Sequence, residues 1–174
     1  MKLSKIILLL SSLTVSYSAI AGERLYLELP VQFSPNVFIV PRVKSECEVE
    51  RLMSEDAEAG ITKRFGPIES SAIGQDVANG KVIKLTILNV DGIGGGGWTG
   101  PKSMTVLAEV KQGDQVLAAK MFSRASKGAN PFAGTCSILN NVTKAVGADV
   151  GVWLKRGAAN GAQETAEKTT DDPT

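Results

Sequence analysis

Residues 92 to 103 read GIGGGGWTGPKS, and their types suggest phosphate chemistry more directly than any other stretch of the chain. Gly92, Gly94 and Gly97 satisfy the G-x-G-x-x-G fingerprint of dinucleotide sites. Gly95 to Ser103 would match a phosphate-binding P-loop but for Pro101, which separates Gly100 from Lys102. In both motifs the glycines end a strand and open a helix whose first amides hold the phosphate. Here they lead instead to Pro101, which has no amide to donate, and then to the strand-like run SMTVLAEV. Nucleotide binding is therefore not expected, and no cofactor is implied. The other use of such a stretch is a flexible connection between strands, with Trp98 at its tip. Glycine tolerates positive φ and close backbone approach, so the connection can fold over a partner or a neighbour. Gly94, Gly97, Trp98 and Lys102 form the candidate interaction loop. Trp98 serves there as an exposed recognition anchor or as a core plug, and both readings stay open.

Other catalytic chemistry has few residues to work with. The 174 residues include no histidine, which removes histidine triads, histidine general bases and ordinary catalytic zinc sites. A serine–lysine dyad of Ser103 and Lys102 would place the two on opposite faces of a strand. The acids Glu46, Glu48, Glu50, Glu55, Asp56 and Glu58 lack calcium-loop spacing, and interleaving with Arg51 and Lys63 reads as a solvated helix face. No catalytic residue and no metal ligand is assigned. A carboxylate-dependent periplasmic hydrolase, acting for example on glycans, would draw on Asp76, Asp91 and Glu109. It would need two of them to converge in a cleft. A small-molecule carrier would need an apolar pocket between helices and sheet.

The elements that would carry these residues begin after a transport address. Residues 1–21 combine Lys2 and Lys5, an apolar run from Ile6 to Val15 and an A-x-A site at Ala19-Ile20-Ala21. The run is too short to span a bilayer, which takes about 20 residues, and no nearby cysteine could carry a lipid. The expectation is cleavage after Ala21 and a periplasmic or secreted protein with no stable membrane anchor. The whole chain carries 19 Lys+Arg against 18 Asp+Glu, and two lysines leave with the leader. Without a basic excess, nucleic acid is not an expected partner.

A single domain is expected over residues 22–156. RLYLEL and NVFIVPRV read as two strands, with Leu25, Leu27 and Leu29 alternating; Pro30, Pro35 and Pro41 assign them to edges. From Ser45, a candidate N-cap with Glu46 and Glu48 in the first turn, helical spacing runs through Val49, Leu52, Met53, Ile61 and Phe65 to a stop at Gly66-Pro67. Residues 68–80 read as loop with an Asn79-Gly80 turn. KVIKLTILNV is a strand, and KSMTVLAEVK and QVLAAKMFSR are two arms of a hairpin. Met104, Val106, Ala108 and Val110 share a face of the first arm; Val116, Ala118, Lys120 and Phe122 share one of the second. Residues 136–156 form a helix with an apolar stripe of Ile138, Leu139, Val142, Ala145, Val146, Val150 and Trp153. Residues 157–174 read as a disordered polar tail. The order is β-β-α-β-β-β-α, an α+β class with a mainly antiparallel sheet and two helices packed on one face. Cys47 and Cys136 stand at the two helix starts. An even cysteine count in an oxidising compartment implies a disulfide, worth on the order of 4 to 5 kcal/mol in the chain-entropy description.

A glycine-rich turn, two long strands and then TCSILNNVTKAVGADVGVWL resemble small proteobacterial exported envelope proteins of unknown function. The pattern, over residues 45 to 156, is similar in organisation to the amino-terminal α/β module of TolB and to the penicillin-binding-protein activator LpoB. The resemblance carries no catalytic residue. It implies a non-enzymatic binding or accessory protein that contacts another cell-envelope component. Mass spectrometry of the protein purified from a native host should find Gly22 as the N-terminus. An intact Met1 on cytoplasmic protein would overturn the export reading.

Overall fold

The computed structural model describes residues 24–77, 80–127 and 132–161; the expected leader and residues 162–174 of the expected tail lie outside them. The fold is α+β, built as a six-stranded sheet with its helices on one face. Strands β1 (Leu25–Leu29), β2 (Gln32–Ile39), β3 (Glu69–Ala72), β4 (Lys81–Asp91), β5 (Ser103–Gln112) and β6 (Gln115–Ala125) are joined by α1 (Pro41–Glu46), α2 (Val49–Arg64) and α3 (Thr135–Lys155). Strand order is β3-β1-β4-β5-β6, with β2 also paired to β4. The long pairings β4–β5 and β5–β6 are antiparallel, whereas β1, β2 and β3 join in parallel.

β1 and β2 lie in succession along β4: Leu25 to Leu27 face Lys81 to Ile83, and Gln32 to Ile39 face Thr86 to Val90. Pro30 falls in the break between them, where no ladder bond needs its missing amide. β2 is an edge strand as expected, and Pro35 lies where its register with β4 shifts, between Phe33 and Phe38. β1 corrects the expectation, because β3 covers its outer side. The sequence ESSA has little intrinsic strand preference, so the expected loop over 68–80 contains a strand only because β1 offers it a partner.

Along β5 the strict alternation survives: Met104, Val106, Ala108 and Val110 are fully buried. Across the β6 ladder Val106 faces Phe122 and Val110 faces Ala118. β4 sends Ile83, Leu85 and Ile87 inward, while Val82 points to the other face. An irregularity between Ile87 and Asn89 then returns Val90 to the core.

The first helical region differs from its expected start. Pro41 opens α1 at the first helical turn, where its missing amide has no intrahelical partner to lose. Ser45 lies inside that helix, and its hydroxyl donates to the Arg42 carbonyl at 3.1 Å rather than capping anything. Glu46 ends α1, and Glu48 precedes α2 in the left-handed region with φ 44°. The break falls at Cys47, which is bonded to Cys136 in the first turn of α3 with their Cα atoms 4.9 Å apart. The expected disulfide is thus present, joining the break between α1 and α2 to the start of α3. The core also runs past residue 156. Ala158, assigned to the polar tail, is 2% exposed, and the carbonyl of Ala159 accepts from Lys81 Nζ at 3.1 Å.

The helix layer depends on small residues. A methyl group on Gly60 would lie 2.4 Å from the backbone of Gly147, and one on Gly147 would lie 2.2 Å from the Asp56 carbonyl oxygen. Gly151 approaches Gly60 and Ile61 in the same way. Beside this contact the Thr143 hydroxyl, fully buried, donates to the Asp56 carboxylate. Two helices at such a separation share one continuous surface with the sheet, where Met53 and Ile61 meet the interior with Leu139, Val146 and Val150. In an exposed helix Gly→Ala would stabilise by about 1 kcal/mol. Here Gly147→Ala should destabilise by about 1 to 3 kcal/mol or more, as overpacking does. A denaturant melt that moves upward would show that the helices do not touch at this point.

Candidate functional site

The glycine stretch begins where β4 ends and runs to Pro101 before β5, so a strand and not a helix follows it. Its centre, Gly96–Thr99, is a single 3-10 turn. Gly95, Gly96 and Gly100 have positive φ. At Gly96 a side chain is excluded twice over: φ is 63°, and a Cβ would sit 2.3 Å from the Ala133 carbonyl oxygen. The expected flexible connection is therefore held in place. The Gly97 amide donates to the Ala133 carbonyl at 3.0 Å, and the Gly96 amide to the Thr135 hydroxyl at 3.0 Å. These bonds tie the loop to the segment that starts α3. Gly94, singled out for the motif, has negative φ and open space around it, so the conformational demand falls on its neighbours.

Lys102 departs from its expected role. It belongs to the candidate interaction loop, yet it is 0% exposed and, among the described residues, the largest of the fully buried side chains. Its Nζ donates to the Thr99 hydroxyl at 2.6 Å. The Thr99 hydroxyl lies 3.0 Å from the Gly96 carbonyl and 3.2 Å from that of Ile93, to which it can donate in turn. Below, the Lys102 amide donates to Ser126 Oγ at 2.9 Å, and the Ser126 amide returns a bond to the Lys102 carbonyl at 2.8 Å. Lys102 is a peg that the loop closes over. Pro101 makes this possible by ending the loop so that residue 102 turns inward at the start of β5.

Trp98, by contrast, is 74% exposed, which resolves the two readings in favour of exposure. It packs edge to face against Phe132, itself 86% exposed, with ring centroids 6.2 Å apart. Ile93 in the same loop is 61% exposed. Phe132 stands on the segment leading into α3, more than thirty residues away in sequence, so no local signal could have joined it to Trp98. Isolated exposed apolar residues are common on protein surfaces; here two aromatic rings from distant parts of the chain are exposed in contact with each other.

The remaining candidates do not assemble around a reaction. Asp91 faces Ser103 at one end of β5, and Glu109 lies six residues further along that strand, about 20 Å away. A glycosidase pair needs carboxyl groups within about 10 Å of each other. Asp76 lines a separate cavity of about 460 Å³ with Glu28, Lys84, Lys111 and Asp114, which neither Asp91 nor Glu109 lines. A second cavity, also about 460 Å³, lies beside the disulfide between Arg42, Gly94–Gly96 and the start of α3. A third, about 350 Å³, lies between β6 and α3, where Arg124 donates through two nitrogens to the Asp149 carboxylate. Hydrogen bonding to that carboxylate raises the pKa of the guanidinium from its ordinary value. Of these cavities only the third opens between a helix and the sheet, at the edge strand β6, and its lining includes Lys120, Arg124, Asp149 and Arg156; the rest of the space is filled by side chains 0–4% exposed such as Ile83, Ile87, Met53 and Trp153. The acids expected as a solvated helix face are largely exposed, Glu58 among them, and most of the others have a partner within the protein. Arg51 holds Glu48 and Glu55, Glu50 accepts from the Phe33 amide at 3.1 Å, and Asp56 accepts from Thr143. Among the described residues, no three potential metal ligands of the Cys, Asp or Glu type come together, and no helix is long and apolar enough to cross a membrane.

No protein-family model matches the chain, and no curated protein matches it. Solved structures do resemble it. A Xanthomonas campestris protein described under the family DUF330 superposes with a TM-score of 0.52 at 12% identity, covering 79% of this chain and 86% of its own. The PelC dodecamer from Paraburkholderia phytofirmans gives a TM-score of 0.46 at 11% identity, covering 73% and 87%. The likeness to the Xanthomonas protein is one of fold: an α+β sheet with its helices gathered on one face.

Trp98 and Lys102 should separate in a stability measurement. Trp98→Ala should change unfolding free energy by less than about 1 kcal/mol, as a surface substitution does. Thr99→Val, which leaves the buried ammonium without its partner, should cost about 1 to 3 kcal/mol. A large loss in Trp98→Ala would return that residue to the core.

Proposed function

We propose that the protein is an exported, non-enzymatic accessory or binding protein of the cell envelope, which engages another envelope component through the rim formed by Ile93, Trp98 and Phe132. One observation carries the reading: two aromatic side chains from distant parts of the chain, 74% and 86% exposed, are brought edge to face on a loop whose backbone is held by hydrogen bonds. Tryptophan is usually mostly buried, and ordering it at the surface without a partner gains little. Exposed aromatic anchors are where binding energy concentrates in interfaces.

Several features support this reading. The leader-like residues 1–21 and the Cys47–Cys136 disulfide fit an oxidising compartment, and the periplasm is the location we assign. An enzyme built on Asp76, Asp91 and Glu109 gains no support from their placement, and an apolar-ligand carrier gains little from a cavity between α3 and β6 whose lining includes Lys120, Arg124, Asp149 and Arg156.

The test is sedimentation of the mature protein with washed envelope fragments from the native host. Wild-type protein should pellet with them, and Trp98→Ala and Phe132→Ala should stay in the supernatant while melting at nearly the wild-type temperature. Equal pelleting of all three proteins, or none by the wild type, would remove the rim from any role in binding.

A further inference from the structure

We propose that the rim at Trp98 and Phe132 is a peripheral lipid-binding tip, which enters the headgroup layer of an anionic phospholipid bilayer. This rests on the envelope-binding reading above and names the component. Three observations favour a bilayer over a protein.

The first is shape. Neither Trp98 nor Phe132 lines any of the three cavities described above, and with Ile93 both stand on loop segments. Phe38, 70% exposed, lies on β2 beside the end of β4 that feeds the loop. A protein partner would have to present a fitted pocket to each of these side chains, whereas a bilayer accepts projecting apolar groups without one. Tryptophan and phenylalanine are also the residues that partition into the interfacial layer.

The second is the backbone. A loop that enters the interface must leave few polar main-chain groups without partners. In this loop the amides of Gly96, Gly97 and Gly100 donate to Thr135, Ala133 and Gly97. The carbonyls of Ile93 and Gly96 are reached by Thr99, and the Lys102 ammonium is withdrawn beneath them. Part of the loop's main chain is therefore already paired within the protein before any surface is met.

The third is charge. Arg42 and Lys44 on α1 and Lys127 before the Phe132 segment are exposed at this end, as are Glu46 and Asp91. Arg42 holds Glu46 at 2.8 Å, and Lys44 lies over the Phe33 ring. The balance is positive by one charge, enough to favour anionic headgroups but too small to bind without the aromatic side chains. Insertion of so few groups is weak and reversible.

The experiment uses the mature full chain and protein-free vesicles, either zwitterionic or mixed with anionic phospholipid. The chain holds two tryptophans, and Trp153 is 4% exposed in the core, so a change in emission on adding vesicles reports Trp98. Anionic vesicles should shift the emission to the blue and pellet the protein, with less of both on zwitterionic vesicles and at high salt. Trp98→Ala should abolish the shift, and it or Phe132→Ala should weaken partition on the order of tenfold, from the apolar area each withdraws. Absence of shift and pelleting at low salt would overturn the lipid inference. If the same protein still pellets with envelope fragments through Trp98, the rim binds a protein or glycan and only the lipid inference falls. If it pellets with neither, the envelope-binding reading falls too.

Discussion

The backbones of α2 and α3 touch at Gly60, Gly147 and Gly151, and the placement of the rest of the molecule follows from that contact. Helix axes are ordinarily kept 8 to 10 Å apart by their side chains. Here the absence of three side chains lets main chain meet main chain, so the two helices behave as one slab above the sheet. The disulfide fixes the same slab at its other end, joining the start of α3 to the break between α1 and α2. With α3 held from both ends, its first turn becomes a rigid post.

That post positions the candidate site. Ala133 and Thr135, just before and at the start of α3, accept from Gly97 and Gly96. Lys102 and Ser126 bond the two ends of the β5–β6 hairpin beneath the loop. A stretch whose composition suggests a hinge is thereby held open in one conformation, and the strain-free way to hold it is glycine at positive φ. In the binding role proposed above, such ties would lower the ordering cost of presenting Trp98 and Phe132 to a surface.

The long, regular elements were legible in the chain because their patterns are local. Period-two alternation gave β5 its inward face residue by residue, and the stripe from Ile138 to Trp153 gave α3 its buried side. The helix at 49–64 was legible, but its start was not. Ser45 has the chemistry of a cap, and only the presence of Pro41 four residues earlier and the pull of Cys47 toward Cys136 place it inside a different helix. β3 was illegible for a related reason: ESSA forms a strand through the hydrogen bonds that β1 supplies, and those bonds are tertiary.

By itself, then, the sequence determined the α+β class, the pairing of its two cysteines and the exclusion of histidine chemistry. Each of these depends on residue type, count or short-range period. It also showed that Pro101, which has no amide to donate, stands where either phosphate motif would open a helix. Which glycines matter, and for what, was decided by the tertiary structure. Gly60 and Gly147 look like poor helix residues until a second backbone is seen 2.4 Å from where a methyl group would be. The fates of Lys102 and Trp98 were decided there too. A lysine near a loop tip is buried and a tryptophan is exposed, against the ordinary preference of both, because burial is settled by what arrives from elsewhere in the chain. Phe132 and Ala133 arrive only when α3 is docked, and no pattern within residues 92 to 103 could contain them.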